Sequence, residues 1–494
     1  MKAFFQTFRG QSWFIVIATT IIYGLCLNNL NLWGDEIYSV LMAKDSFTEM
    51  WQLLTTEDSK PPLYYVYLKG ILLLFPKHYE IWAAHFASFL LLIVAQLFSL
   101  TVMRRDYGDR VALWMAIILA LMPCSLWLAL EVRTYMLSAL LLFMALIYGL
   151  RLLDKPSNAD FIKFGIITIL ALYSHYYCTI WMLCLYAGIF VCMIHNRQFT
   201  NYGKKFLFIA VGVAILFAPW LLILFHTAGE ISQSWYVDWE FVRYSPLFFF
   251  NPFDPEILQS NFFMATQFIT VSFSFIVLSG ILGMTDAPCK VKRLYWFALG
   301  TFFCSYLLLI GLSFAIRPLV TARYLKIFAL VWYTAGVVVL TQIKIFKKTF
   351  AILAVLLFGF SYVDIRTVAF DTKYQDAVRE IRQFIPRTEK LITLDNANLF
   401  CEYYLPEYTC LSIVGETGEI LRKPSILKNI SYYSQEAPET SFVLSIYSIM
   451  ADYTDCITYN SIYRRGQELK LCKLPKQTTE KKLKDSLNLR LKKY

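Results

Sequence analysis

Long apolar runs recur along this chain, separated by short polar breaks. They fall near 11–31, 61–76, 80–103, 110–130, 134–153, 160–175, 177–195, 204–226, 262–284, 293–316, 320–342 and 347–364. About 20 apolar residues make a helix long enough to cross the hydrocarbon of a bilayer, and a helix satisfies its own backbone there. The pattern predicts a bundle of transmembrane helices. The run at 61–76 is the exception: it is short, opens on Pro61-Pro62 and carries Tyr64, Tyr65, Tyr67 and Lys69. Past residue 365 the pattern changes. Asp371–Ile385 repeats at a helical period, with Ala377, Ile381, Phe384 and Ile385 on one face, and short β-rich runs lie at Lys390–Leu394, Thr409–Val414 and Phe442–Tyr447.

Charge then decides how the runs thread the membrane. If 61–76 lies along the outer surface or dips into it without crossing, one side collects Arg104, Arg105 and Arg110, then Arg151, Lys155 and Lys163. The same side collects Arg197, Lys204 and Lys205, then Lys290, Lys292 and Arg293, then Lys344, Lys347 and Lys348. Basic loops belong in the cytoplasm. If 61–76 crosses, all of these clusters land outside. The expected topology is therefore eleven spans and one juxtamembrane segment. Its N-terminus is inside on an uncleaved first span, and everything after about residue 365 is outside.

Composition agrees and excludes other classes. Of 494 residues, 58% are hydrophobic and only 16% charged, against about 25% charged in soluble domains. The net charge of +11 resides in loops between apolar runs and in the tail after Lys476, so it reads as topogenic and not as a nucleic-acid surface. The fold class expected is an all-α polytopic membrane protein with a small outer α/β or α+β domain. Residues 1–364 form the membrane module, including a first outer loop over 32–79. Residues 365–475 form the outer domain, and 476–494 a solvated basic tail. Cys401, Cys410, Cys456 and Cys472 would lie in an oxidising compartment, where one or two disulfides with open pairing are compatible with them. No CxxC or HExxH spacing occurs, so neither a metal nor another cofactor is expected.

The topology gathers unusual residues on the outer face: Asp35, Glu36, Asp58, Lys60, Glu131, Arg133, Tyr135, His175, Tyr176, Tyr177, Trp235, Arg317, Arg323 and Tyr324. Carboxylates are costly to desolvate at a membrane, so paired acids at one mouth of a bundle point to chemistry there. The order of the motifs is more specific than any one of them. Trp33-Gly34-Asp35-Glu36 is followed by Asp58-x-Lys60-Pro61-Pro62-Leu63-Tyr64-Tyr65, then Glu131-Val132-Arg133-Thr134-Tyr135, Ser174-His175-Tyr176-Tyr177, Arg317-Pro318 and Arg323-Tyr324-Leu325. This set resembles membrane glycosyltransferases of the GT-C class, in particular the bacterial relatives of protein O-mannosyltransferases and of the aminoarabinose transferase that acts on lipid A. The resemblance runs to about residue 364. His often stands in that family where this chain has Lys60. The outer domain shares no resemblance of this kind.

The resemblance implies a polyprenyl-phosphate-linked sugar as donor and a hydroxyl of a lipid, glycan or protein as acceptor. It implies an active site facing outward from a bacterial plasma or inner membrane. Asp35 is then the expected base, Glu36 its support, and Asp58 a group that binds acceptor or orients Lys60. Arg133 and Arg323 are expected to grip the donor phosphate in a guanidinium fork, with Lys60 and His175 as further donors. Tyr64, Tyr135, Tyr176 and Tyr324 would line the substrate. Blander readings stand beside these. The acids can be a solvated loop, the arginines charges that snorkel at span ends, the tyrosines an aromatic belt. The alternative function is a transporter or flippase of lipid-linked glycans. It would place ionisable groups within spans near the midplane, whereas the polar set here gathers at one face.

Overall fold

A chain this apolar has one economical way to satisfy its backbone, and helices dominate its computed structural model. The structure describes residues 6–28, 30–58, 60–227, 239–244, 263–284, 286–342, 355, 359, 373–388, 390–394, 397–412, 430–432, 442–445, 456–460 and 468–473. The apolar run expected at 347–364 and the basic tail fall almost entirely outside the described residues. Five described helices are long and apolar enough to cross a membrane: Lys77–Tyr107, Tyr176–His195, Phe199–His226, Cys289–Ala315 and Ala322–Gln342. The helix within 61–76, Leu63–Leu72, has 10 residues. At about 1.5 Å per residue this gives roughly 15 Å, half of the hydrocarbon thickness.

The chain divides into two units, each described by itself. The first comprises Met1–Leu27, Ser59–Tyr67 and Ala84–Ile365. At its centre the helix Ala329–Gln342 is buried along almost its whole length and packs against Asp109–Leu121, Tyr135–Arg151, Phe263–Gly283 and Cys289–Ala315. Small residues allow the close approach. A Cβ on Gly336 would strike the Phe273 ring, and one on Gly280 would strike Val339 and Tyr295. Lys204–Thr227 behaves differently. Phe208, Ile215, Leu222 and Phe225 are exposed, as expected of a helix that turns its apolar surface to lipid.

The apolar run at 110–130 is not one straight helix. Asp109–Leu121 and Pro123–Leu130 meet at 68°. Pro123 occupies the first turn of the second helix, and Met122 before it is extended, with ψ 131°. Proline removes a backbone donor and drives the preceding residue out of the α region, which breaks the helix there. The break fixes where the chain delivers Glu131 and Arg133. At one end of this unit three basic loops come together in ion pairs. Arg151 meets Asp106 at 2.6 Å and Asp160 at 4.0 Å, Lys290 meets Asp154 at 3.5 Å, and Arg293 also pairs with Asp154.

The second unit comprises Asn28–Asp58, Leu68–Ala83 and Arg366–Tyr494. It joins the first polar loop to the C-terminal segment. Gly34–Lys44 is followed by Phe47–Leu53, whose start is a capping box: Ser46 Oγ accepts from Glu49 N–H at 3.2 Å and the Glu49 carboxylate accepts from Ser46 N–H at 3.0 Å. Lys373–Phe384 buries Tyr374, Ala377, Val378 and Ile381. The strands β1 (Lys390–Leu394), β2 (Thr409–Ser412), β3 (Ile430–Tyr432), β4 (Phe442–Ser445), β5 (Cys456–Asn460) and β6 (Glu468–Lys473) form one sheet in the order β3-β2-β1-β4-β6-β5. β1, β2, β3 and β4 run parallel, and β6 is antiparallel to both β4 and β5. The thiols of Cys401 and Cys410 are both buried and unbridged.

Candidate active site

Two sets of candidate groups emerge, one in each unit. In the second unit the Gly34–Lys44 helix carries both leading acids in its first turn, where negative charge is favoured by the helix dipole. The two differ. Glu36 is fully buried, and its carboxylate accepts a hydrogen bond from Trp33 N–H at 3.3 Å. Asp35 is half-buried, and its carbonyl accepts from Ser39 Oγ at 2.9 Å. Glu36 is thus committed to closing the start of the helix, while Asp35 keeps access to solvent. Asp58 closes the helix Leu54–Asp58, and its side chain lies outside the described residues.

Two adjacent tyrosines hold this helix at both ends. The helix Ala397–Tyr404 packs on Gly34–Lys44. The Tyr404 hydroxyl accepts from Leu32 N–H at 2.8 Å and donates to Leu32 C=O at 3.3 Å, two residues before the helix begins. Burial, with the nearby Tyr374 and Glu36 adding to it, pushes the Tyr404 phenol well above its ordinary pKa, so it stays a neutral donor and acceptor. At the other end, Tyr403 donates to Glu80 at 2.8 Å, and the same carboxylate oxygen pairs with Lys44 at 3.1 Å. Tyr404→Phe is expected to lower turnover about tenfold, the equivalent of one or two hydrogen bonds lost from the mounting of Asp35, with donor affinity unchanged. Wild-type kcat in that variant would show that the grip does not position the acid.

In the first unit the E-x-R-x-Y, H-Y and R-Y-L motifs converge. Glu131 and Arg133 are buried just beyond the bent helix. Two groups on Glu80–Phe98 hold that turn: His85 Nδ1 donates to Leu130 C=O at 2.5 Å, and Ser88 Oγ donates to Glu131 C=O at 2.6 Å. The Arg133 guanidinium stands 6.0 Å from the Tyr135 ring. The His175 ring lies 6.1 Å from Tyr135, 5.4 Å from Tyr177 and 5.0 Å from Tyr324. Arg323, half-buried, shares the short helix Ala322–Leu325 with Tyr324. Lys60 is half-buried. Tyr64 is buried and packs edge-on against Tyr65. Tyr176 is half-buried, and its hydroxyl accepts from Trp220 Nε1 at 3.2 Å.

His175 has a defined state. Its Nδ1 accepts the Tyr177 N–H at 3.1 Å and so caps the helix Tyr176–His195. The remaining proton therefore sits on Nε2. Burial, then the Arg133 and Lys60 cations, hold its pKa down at about 3. The ring is neutral throughout the physiological range, with its proton on Nε2. The sign for stability follows. The unfolded histidine takes a proton as pH falls through about 6.5, the folded one refuses it until about pH 3, so this group destabilises the fold progressively between those values. Nitrogen NMR of imidazole-labelled protein, with His175→Gln for assignment, should show an Nε2-protonated neutral ring at pH 6. A midpoint near 6.5 would place the ring in open solvent.

Some residues of these sets carry no sequence signal for their role. Lys326 is almost fully buried, with its ammonium 4.8 Å from the Trp127 ring; in the sequence it directly follows Arg323-Tyr324-Leu325 and belongs to no motif of its own. Tyr403 and Tyr404 follow Glu402 in a segment with no recognisable motif.

The family model for dolichyl-phosphate-mannose-protein mannosyltransferases matches residues 59–223. Comparison with curated proteins gives no match. Among solved structures, ArnT from Cupriavidus metallidurans resembles the chain in its apo state (13% identity, 93% of this chain and 97% of that one, TM-score 0.46). It does so as well bound to undecaprenyl phosphate (14% identity, the same coverage, TM-score 0.47). The oligosaccharyltransferase of Archaeoglobus fulgidus matches at 12% identity over 87% of this chain and 67% of that one, with TM-score 0.45. The family match covers about a third of the chain and takes in its Lys60, Arg133 and His175 motifs, so over that stretch the chain is similar to these membrane mannosyltransferases.

Proposed function

We propose that this protein transfers one sugar, with inversion, from a polyprenyl-phosphate carrier to a hydroxyl on a lipid, glycan or protein at the extracytoplasmic face of a bacterial plasma or inner membrane. The observation that carries this reading is the neutral His175 flanked by Arg133 and Lys60 and ringed by Tyr135, Tyr177 and Tyr324. Cations, phenols and an N–H donor together suit a phosphate that gains charge as its ester bond breaks. The family whose pattern residues 59–223 carry is named for a donor of that chemistry.

In the proposed reaction the acceptor hydroxyl gives its proton to the Asp35 carboxylate and its oxygen attacks the anomeric carbon. The bond from that carbon to the phosphate oxygen breaks, and the electron pair leaves with the lipid phosphate. Arg133, Arg323 and Lys60 balance its charge, and His175 Nε2–H adds a hydrogen bond. Glu36 serves the mounting of Asp35, and Asp58 serves the acceptor or Lys60. Tyr176 lines the substrate path. The test is to incubate purified protein with a panel of polyprenyl-phosphate sugars and a membrane extract, following release of polyprenyl phosphate and labelled glycoconjugate by mass spectrometry. If no donor is consumed beyond the level of a heat-inactivated control, the reading fails.

A further inference from the structure

The second unit carries a groove that the proposed chemistry does not use. It encloses about 580 Å³ over the Lys373–Phe384 helix and is floored by Tyr403 and Tyr404. Gln375, Arg379, Arg382 and Gln383 line it. These positions follow a helical i, i+4, i+7, i+8 spacing, which puts them on one stripe. Two guanidiniums and two primary amides thus face one space beside two aromatic rings, 4.9 Å apart and nearly perpendicular. Among the described residues no carboxylate lines this groove, and each arginine has an acid partner at its edge. Asp376 meets Arg379 at 3.4 Å across a solvated pair whose arginine is 68% exposed, and Glu407 meets Arg382 at 2.5 Å. Arg382 also donates to Tyr404 C=O at 3.2 Å, so it braces the floor while Arg379 keeps its donors toward solvent. A second hollow of about 450 Å³, of mixed charge with Lys44, Lys77 and His78 beside Asp45, Glu80 and Glu402, shares Ile81, Tyr403 and Pro406 with the first.

We propose that this groove is a docking site for the acceptor, and that the acceptor is an acidic oligosaccharide or the acidic glycan part of a larger molecule. Amides and guanidiniums supply the paired donors that hydroxyls and an acid group require, and tyrosines supply apolar faces with a polar rim for sugar rings. This rests on the transferase reading above and names its acceptor class. The floor of the groove is also the mount of the catalytic helix: Tyr404 holds Leu32, and Tyr403 holds Glu80 and through it Lys44. A glycan seated on the two rings therefore bears on the residues that set the position of Asp35.

The experiment is calorimetric titration of the full chain in nanodiscs, without donor, using hexagalacturonate and phosphorylated mannohexaose as acidic probes and maltohexaose as the neutral control. The acidic probes should bind more tightly than the neutral one. Arg379→Gln should weaken them about tenfold, the scale of one charged hydrogen bond, and Gln383→Ala should weaken all three probes. Arg379 is exposed and, among the described residues, pairs with Asp376 on its own helix, so its substitution is expected to leave the fold intact. The proposal is overturned if neither acidic probe binds, if the neutral probe binds as well as they do, or if Arg379→Gln changes nothing. Because no donor is present, such a result leaves the sugar-transfer reading standing. An inert donor panel would sink that reading without moving these titrations.

Discussion

Asp35→Asn is expected to abolish sugar transfer while leaving expression and donor binding close to wild type. The amide keeps the size of the side chain but cannot act as a base, and general-base contributions are typically about 10²–10⁴-fold. The two neighbouring acids make the test discriminating. Glu36 is fully buried and holds Trp33 N–H, so Glu36→Gln is expected to disturb the start of the helix and lower stability as well as rate. Asp35 is half-buried, so its substitution exposes less buried structure than that of Glu36. Steady-state rates and donor affinity measured on both variants separate the roles. Asp35→Asn with activity within about twofold of wild type would remove it from the chemistry and make Glu36 the next candidate.

The second large effect concerns the donor. Arg133→Ala and Arg323→Ala are each expected to weaken binding of a polyprenyl-phosphate sugar about 10- to 100-fold, since a charged hydrogen bond is worth about 1.5–3 kcal/mol. Lysine is not expected to restore either site fully, because a point charge cannot reproduce the planar fork. Arg133 is only 8% exposed, so its loss also removes the nearest cation acting on His175 and should raise the pKa of that ring. Donor affinity is what separates a phosphate grip from a charge that merely anchors a span end. An anchoring role would alter insertion or stability and leave donor affinity alone. The measurement is a donor titration on folded, purified variants. Wild-type affinity in both would assign the phosphate to other residues, with Lys60 and Arg317 first in line.

Much of the helical unit was legible because membrane helices announce themselves through long apolar runs and short basic breaks. Parity alone put Tyr135, His175 and Tyr324 on one face, and the structure brings their rings within about 6 Å of each other. The bend at Met122 was written in Pro123, but its consequence, the delivery of Arg133 beside Tyr135, needed a third dimension. The difference between Asp35 and Glu36 was not legible. Two adjacent carboxylates look equivalent in a sequence, and only the phase of their helix buries one and leaves the other accessible. Nor was the partnership of Tyr403 and Tyr404 with Leu32 and Glu80. It spans most of the chain and follows no periodicity, and only tertiary packing makes it.

That long reach also sets a clock. Leu32 and Tyr404 are separated by 372 residues. At translation rates of about 5–20 residues per second, roughly 20–75 s pass between the synthesis of one and of the other. By the end of that interval the motifs proposed to bind donor have been made, while the helix that carries Asp35 still lacks the hydroxyl that fixes its start. On the proposed roles a nascent chain would meet donor before its acid is fully mounted, and full turnover would arrive once residue 404 has been made and has folded back onto Leu32.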